Sequence, residues 1–183
     1  GVCCVTNSYA NKVAVTGLLG TGLVLRNNGG DNLAVSANGT FTFTTLVASG
    51  APYAVTVFTQ PATPTQTCTP TNGSANVGGS DVTVAVNCTT STFTIGGTIT
   101  GLAGTGLVLR NNGGDNLAVA ANATTFTFST TIASGAAYAV TVFAQPTTPT
   151  QVCTVTGGGS GTVLGANVTT VAINCVTSTY TIG

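Results

Sequence analysis

The sequence predicts an all-β chain built as two tandem β-sandwich repeats, and three observations predict it. Residues 20–35, GTGLVLRNNGGDNLAV, return without a change at 104–119. Apolar and polar side chains alternate with a period of two through Thr40–Phe43 and Tyr53–Val57, the spacing of half-buried strands. Two cysteine pairs, Cys68/Cys88 and Cys153/Cys175, recur at nearly the same separation. No capping signal precedes an apolar stretch of period 3.6, so no helix is expected.

The repeat sets the expected organisation. Residues 1–6 read as the tail of a preceding repeat, because Cys4-Val5-Thr6 aligns with Cys175-Val176-Thr177. Residues 7–90 form repeat one and 91–177 repeat two. STYTIG at 178–183 duplicates the opening STFTIG of repeat two, so it is an orphan first strand. A unit this small buries a limited share of its surface and needs reinforcement. Nothing at the start resembles a signal peptide, so Gly1 is expected to be a mature or trimmed end.

Charge content is very low. Only Lys12, Arg26, Arg110, Asp31, Asp81 and Asp115 are charged, and His, Glu, Met and Trp are missing. No basic patch can form to neutralise phosphates, which excludes a nucleic-acid role. No window reaches the ~18 uninterrupted apolar residues of a spanning helix. A transmembrane barrel is disfavoured by outward Thr in place of Leu and aromatics. A neutral Thr, Ser, Asn and Gly surface offers little repulsion between molecules, so the expected partner is the chain itself.

Each element follows in order. NSYANKVAVT at 7–16 occupies the place of STFTIGGTIT at 91–100, but Asn11 and Lys12 interrupt its alternation, predicting a weak first strand. In the repeated segment, Asn28-Gly29 fits the centre of a type I′ turn, where both residues need positive φ. That register puts Arg26 opposite Asp31, and Arg110 opposite Asp115, as cross-strand ion pairs. Such exposed pairs contribute only ~0–1 kcal/mol and would serve register more than stability. Phe41, Phe43, Tyr53, Val55 and Val57 are assigned to the first core, and Phe126, Phe128, Tyr138, Val140 and Val142 to the second. Pro61 and Pro64 exclude a central strand and mark an edge or crossover loop. The total is about seven short strands per repeat.

An intra-repeat disulfide is the plain reading of Cys68/Cys88 and of Cys153/Cys175. A zinc site competes weakly, since there is no His and no Cys-x-x-Cys. Disulfides imply an oxidising compartment. Cys3 and Cys4 are left over, with three readings open: a vicinal disulfide, free thiols, or a bond to a neighbouring molecule. Surplus cysteine in a secreted chain favours the last.

Catalysis finds no constellation. The Ser and Thr residues lack a base to activate them, and two of three Asp are assigned Arg partners. NNGGDN imagined as a calcium loop supplies one carboxylate, where calcium wants six to eight oxygens. No cofactor or metal is expected. The Asn-x-Ser/Thr matches at Asn38, Asn72, Asn87, Asn122 and Asn167 are what an Asn- and Thr-rich composition yields. Outward Thr rows resemble ice-binding surfaces but equally the solvent face of any strand.

GLVLRNNGGDNLAV, ANGTFTFTTLVASGAPYAVTV and the Cys68/Cys88 pair together resemble a tandem repeat of secreted and surface-exposed bacterial proteins. NGTFTF followed by SGAPYAVTVF is similar to the Gly-x-Phe-x-Phe and Gly-x-Tyr-x-Val-x-Val pattern of carboxypeptidase-regulatory-like (transthyretin-like) β-sandwiches. The resemblance implies Ig-like or transthyretin-like sandwiches acting as stalks, spacers or adhesive surfaces. Ala123-Thr124, with one residue inserted, departs from that pattern in repeat two.

The expected function is therefore a structural subunit of an extracellular filament or pilus-like fibre. In it Ser178, Thr179, Tyr180, Thr181, Ile182 and Gly183 add to repeat one of the next subunit by strand complementation. Tyr180 and Ile182 would take the pockets that Phe93 and Ile95 fill within a chain, and Cys3 or Cys4 would lock the joint. The alternative is a spacer or adhesive module of a larger secreted or surface-anchored protein.

Overall fold

The computed structural model describes residues 6–181. It separates into two compact units between Ser91 and Thr92. Unit 1 contains β1 (Ser8–Tyr9), β2 (Asn11–Thr16), β3 (Leu23–Asn27), β4 (Asp31–Val35), β5 (Gly39–Thr42), β6 (Val47–Ala48), β7 (Pro52–Thr59), β8 (Gln66–Thr71), β9 (Ser74–Asn76) and β10 (Val82–Thr90). Unit 2 repeats the series as β11 (Thr92–Phe93), β12 (Ile95–Thr100), β13 (Val108–Asn111), β14 (Asp115–Ala118), β15 (Thr125–Thr127), β16 (Ile132–Ala133), β17 (Ala137–Ala144), β18 (Gln151–Gly157), β19 (Ser160–Thr162) and β20 (Val168–Thr177). No helix occurs among the described residues.

Each unit is a sandwich of two four-stranded sheets plus a two-strand bridge. In unit 1 the sheets run β5-β2-β10-β8 and β4-β3-β7-β9, with β1 paired to β6. Unit 2 has β15-β12-β20-β18, β14-β13-β17-β19 and β11-β16. Inward residues of both sheets meet in one cluster per unit: Val13, Val15, Val84 and Val86 face Leu23, Leu25, Tyr53 and Val55 in unit 1. Ile95, Ile99, Val171 and Ile173 face Leu107, Leu109, Tyr138 and Val140 in unit 2. The assigned core residues lie there, although Phe41, Val57 and Val142 are only partly buried at its margin.

Ten strands replace the expected seven because three-residue edge strands form and the first strand is broken. At the break, the N–H of Ala10 is taken by the carboxylate of Asp81 at 3.0 Å, and that of Thr94 by the amide oxygen of Asn167 at 3.0 Å. A side chain thus satisfies the donor that leaves one ladder before joining the next. After the break, β2 runs parallel to β10 and β12 parallel to β20, pairings that alternation cannot distinguish from antiparallel ones.

The expected weakness of the first strand in unit 1 needs correction. β2 is continuous through Asn11 and Lys12 and is paired on both sides, to β5 and β10. Lys12 points outward, where its Nζ lies 2.7 Å from Asp81. Strand alternation places the charge in solvent, so it does not interrupt the core face.

Disulfides join Cys68 to Cys88 and Cys153 to Cys175, each between directly opposed residues of neighbouring antiparallel strands. They span 20 and 22 residues. In the chain-entropy account, closing loops of that length stabilises each unit by about 3 kcal/mol. Replacing Cys153 and Cys175 with Ser together should lower the stability of unit 2 by that amount. A urea titration that resolves the two units checks it.

Candidate functional site

The repeated hairpin is rebuilt one residue away from the expected register. Asn28 and Gly29 do take positive φ, at 48° and 72°, and the Gly30 N–H donates to the Asn27 carbonyl at 3.2 Å. The ladder, however, resumes with Asn27 opposite Asp31 and Arg26 opposite Asn32. Gly30 is a third loop residue, a common way for a hairpin to accommodate strand twist. The second copy is the same, with Asn111 opposite Asp115 and Arg110 opposite Asn116.

The ion pairs assigned to Arg26/Asp31 and Arg110/Asp115 are therefore not formed. Arg26 Nε donates to Asn32 Oδ1 at 2.7 Å, and Arg110 Nε to Asn116 Oδ1 at 2.7 Å. Each guanidinium lies over a ring: Arg26 over Phe58 at 3.5 Å from the centroid, Arg110 over Phe143 at 3.3 Å. Asp31 turns away. It accepts from the Thr44 hydroxyl and the Thr45 N–H, both at 2.8 Å. Burial pushes the Asp31 carboxyl up, but the hydrogen bonds from Thr45 and Thr44 together outweigh it and hold the group below its ordinary range. Their stabilisation is present above the ordinary carboxylate pKa and fades as pH falls through the lowered one. Both Asp31 oxygens are thus engaged by the loop before β6. Among the described residues no cluster of three or more His, Cys, Asp or Glu is placed to hold a metal.

A β-bulge aims the ring in each unit. Val24 pairs with Thr59 while Leu25 pairs with Val57, leaving Phe58 as the extra residue. Val108 with Ala144 and Leu109 with Val142 isolate Phe143 in the same way. Bulges turn a side chain relative to regular pleating.

Four glutamines carry structure that the sequence reading did not assign. Gln66 is buried, and its Oε1 accepts from the N–H groups of Leu19 and Gly20, both at 2.7 Å. Its Nε2 donates to the Gly17 carbonyl at 2.9 Å and to the Thr90 hydroxyl at 3.2 Å. Gln151 repeats this with Ala103, Gly104, Gly101 and Thr177. Gln60 pairs by its side-chain amide with Cys68, giving 3.1 Å to the carbonyl and accepting from the N–H at 2.8 Å. Gln145 does the same to Cys153. These last two occupy the outer edge of β8 and β18, where a neighbouring strand would otherwise bond. The signal was parity: Gln66 and Gln151 stand two residues before a buried Cys, on the same inward face.

The two chain ends differ in what the structure describes. Cys3, Cys4, Ile182 and Gly183 lie outside the described residues. Ser178 is tied back by its N–H to the Thr150 carbonyl at 3.0 Å, matching Ser91 to Thr65. Beyond it Tyr180 is 78% exposed, whereas Phe93, its duplicate, packs against the unit 2 core. At the corresponding site in unit 1, Tyr9 packs against the core and Asn11 stands where unit 2 has Ile95. Asn11 is 0% exposed, and neither its side-chain nitrogen nor its oxygen has a hydrogen-bond partner.

A solved structure shares this all-β fold. The Bacillus anthracis TIE protein matches with a TM-score of 0.57 at 12% identity, over 92% of this chain and 34% of that one. The chain thus spans about a third of the length of that structure. Streptococcal SHIRT domains 3-4 of a cell surface protein align at a TM-score of 0.29 and 14% identity, over 94% of this chain and 100% of theirs. The major pilin T-13 of Streptococcus pyogenes aligns at 0.29 and 10%, over 95% of this chain and 98% of the pilin. No protein-family model matches the chain, and no curated protein sequence does.

Proposed function

We propose that the chain is a structural, non-enzymatic subunit of an extracellular filament, joined head to tail by donation of residues 178–183 into unit 1 of the next copy. The observation that carries this reading is a flawed slot in unit 1, which STYTIG, a near-copy of the opening of unit 2, matches in sequence. A buried amide without partners costs about 1–3 kcal/mol, and Asn11 is such an amide. The donated STYTIG would displace Ser8–Asn11, put Tyr180 where Tyr9 packs and replace Asn11 with Ile182. β2 beyond Lys12 stays in place, so the exchange is confined to the segment before it. A heterologous contact of this kind does not close on itself and propagates. Disulfides support an oxidising, extracellular setting, and two all-β sandwiches in tandem suit a scaffold role. Cys3 or Cys4 would lock the joint, and reductant would then collapse a ladder seen by non-reducing electrophoresis.

Deleting 178–183 is expected to leave folded monomers in electron micrographs. Asn11→Ile, which repairs the resident strand, is expected to slow or prevent fibre growth by the full-length chain. Fibres from the truncated chain would overturn strand donation. A second reading, a spacer or adhesive module of a larger secreted or surface-anchored protein, is favoured by the match to a third of a longer chain. Dispersed particles from the intact protein would decide for it.

A further inference from the structure

We propose that the Arg26–Phe58 and Arg110–Phe143 faces are two identical stations for an anionic polysaccharide, a sugar polymer carrying sparse carboxylate or sulfate groups. Strand donation does not use these faces, so the failure of either reading leaves the other standing.

Two of the three cations of this chain sit in one geometry, in both units. Among the described residues the ion pair is Lys12 with Asp81, and neither arginine takes part in one. Each guanidinium is fixed by its Phe ring on one side and by its Nε bond to Asn32 or Asn116. The terminal nitrogens have no protein acceptor among the described residues, so a planar fork of N–H donors is oriented in advance toward solvent. That fork matches a carboxylate or sulfate edge and needs little further ordering. The bulges that bring Phe58 and Phe143 under the arginines occur in both units, so the stack is built by the backbone.

The surroundings indicate a polymer. Phe58 and Phe143 are each 54% exposed, on open faces that offer no enclosing cavity for a small anion. Further along the first hairpin is a mostly apolar depression of about 270 Å³ edged by Thr21 and Ser36, which neither Arg26 nor Phe58 lines. One cation per face suits a ligand whose charges are widely spaced; nucleic acid, with a charge every ~1.7 Å, needs clustered cations. Each contact is weak, and each unit carries one.

The test is retention of the purified full-length chain on alginate beads at low ionic strength, with soluble alginate, dextran sulfate, polyglutamate and neutral dextran as competitors. Retention is expected, competed by alginate or dextran sulfate, and the stronger of these identifies the anion as carboxylate or sulfate. Arg26→Gln with Arg110→Gln should weaken retention about tenfold or more. Arg→Lys at both sites should fall between, since it keeps the charge and loses the fork. Lys12→Gln removes the same charge from a neutralised site and should change nothing. Circular dichroism confirms that each variant is folded. The proposal is overturned if the double Gln variant binds like the parent, or if Lys12→Gln loses as much. Equal competition by neutral dextran, or better competition by polyglutamate than by either anionic sugar, overturns it too.

Discussion

Gln66→Ala is expected to cost unit 1 about 3–5 kcal/mol, a large share of the stability of a domain this size. The side chain is buried and joins four groups: Leu19, Gly20, Gly17 and Thr90. Removing it strands the buried N–H of Gly20, in a place so tight that a Cβ on Gly20 would sit 2.4 Å from the Pro64 carbonyl oxygen. This amide ties the loop before β3 to the β8–β10 sheet. In urea, unit 1 of the variant should unfold before unit 2, whereas Gln151→Ala should reverse that order. A single transition at the parental midpoint would show that the amide contributes little.

Gly97→Ala is expected to cost unit 2 at least ~3 kcal/mol, at or above the usual range for overpacking. The equivalent position in unit 1 is Val13, fully buried and tolerated. The difference lies across the sheet. β20 carries one more residue than β10 opposite this point, so the parallel register slips between Ile95 and Gly97. The bulged strand brings the Val171 carbonyl oxygen to 1.8 Å from any Cβ at position 97. Backbone must move to admit a methyl group. Gly157→Ala, whose Cβ would meet only the Ala172 side chain at 3.9 Å, serves as control and should shift stability by no more than about 0.5 kcal/mol. Proteolysis of the full-length chain reads the outcome: unit 2 is digested in the Gly97→Ala protein and survives in the control.

These two positions show where the sequence was legible. The all-β class, the paired repeats and the inward residues follow from period-two alternation, a local property that survives tertiary folding. The identity of the hairpin was visible, but its register was not, because Asn28-Gly29-Gly30 allows a two-residue or a three-residue loop. One residue of slip separated Arg26 from Asp31 and altered what the hairpin means chemically. Parallel pairing of β2 with β10 joins segments far apart in the chain, and no local pattern records it. Asn11 read as a defect in a strand; the structure keeps the strand and moves the defect into the core.

The amides of Gln60 and Gln145 carry a consequence for how such molecules behave when crowded. With a formal net charge of zero, long-range repulsion cannot keep copies apart. An open sheet margin in such a protein invites sideways zipping into irregular aggregates. Here the margin at Cys68 and Cys153 is already answered by a side chain from the same unit, and Pro70 withholds a further donor on β8. Protection of this margin is thus stereochemical instead of electrostatic. Raising the salt concentration should therefore leave that protection unchanged.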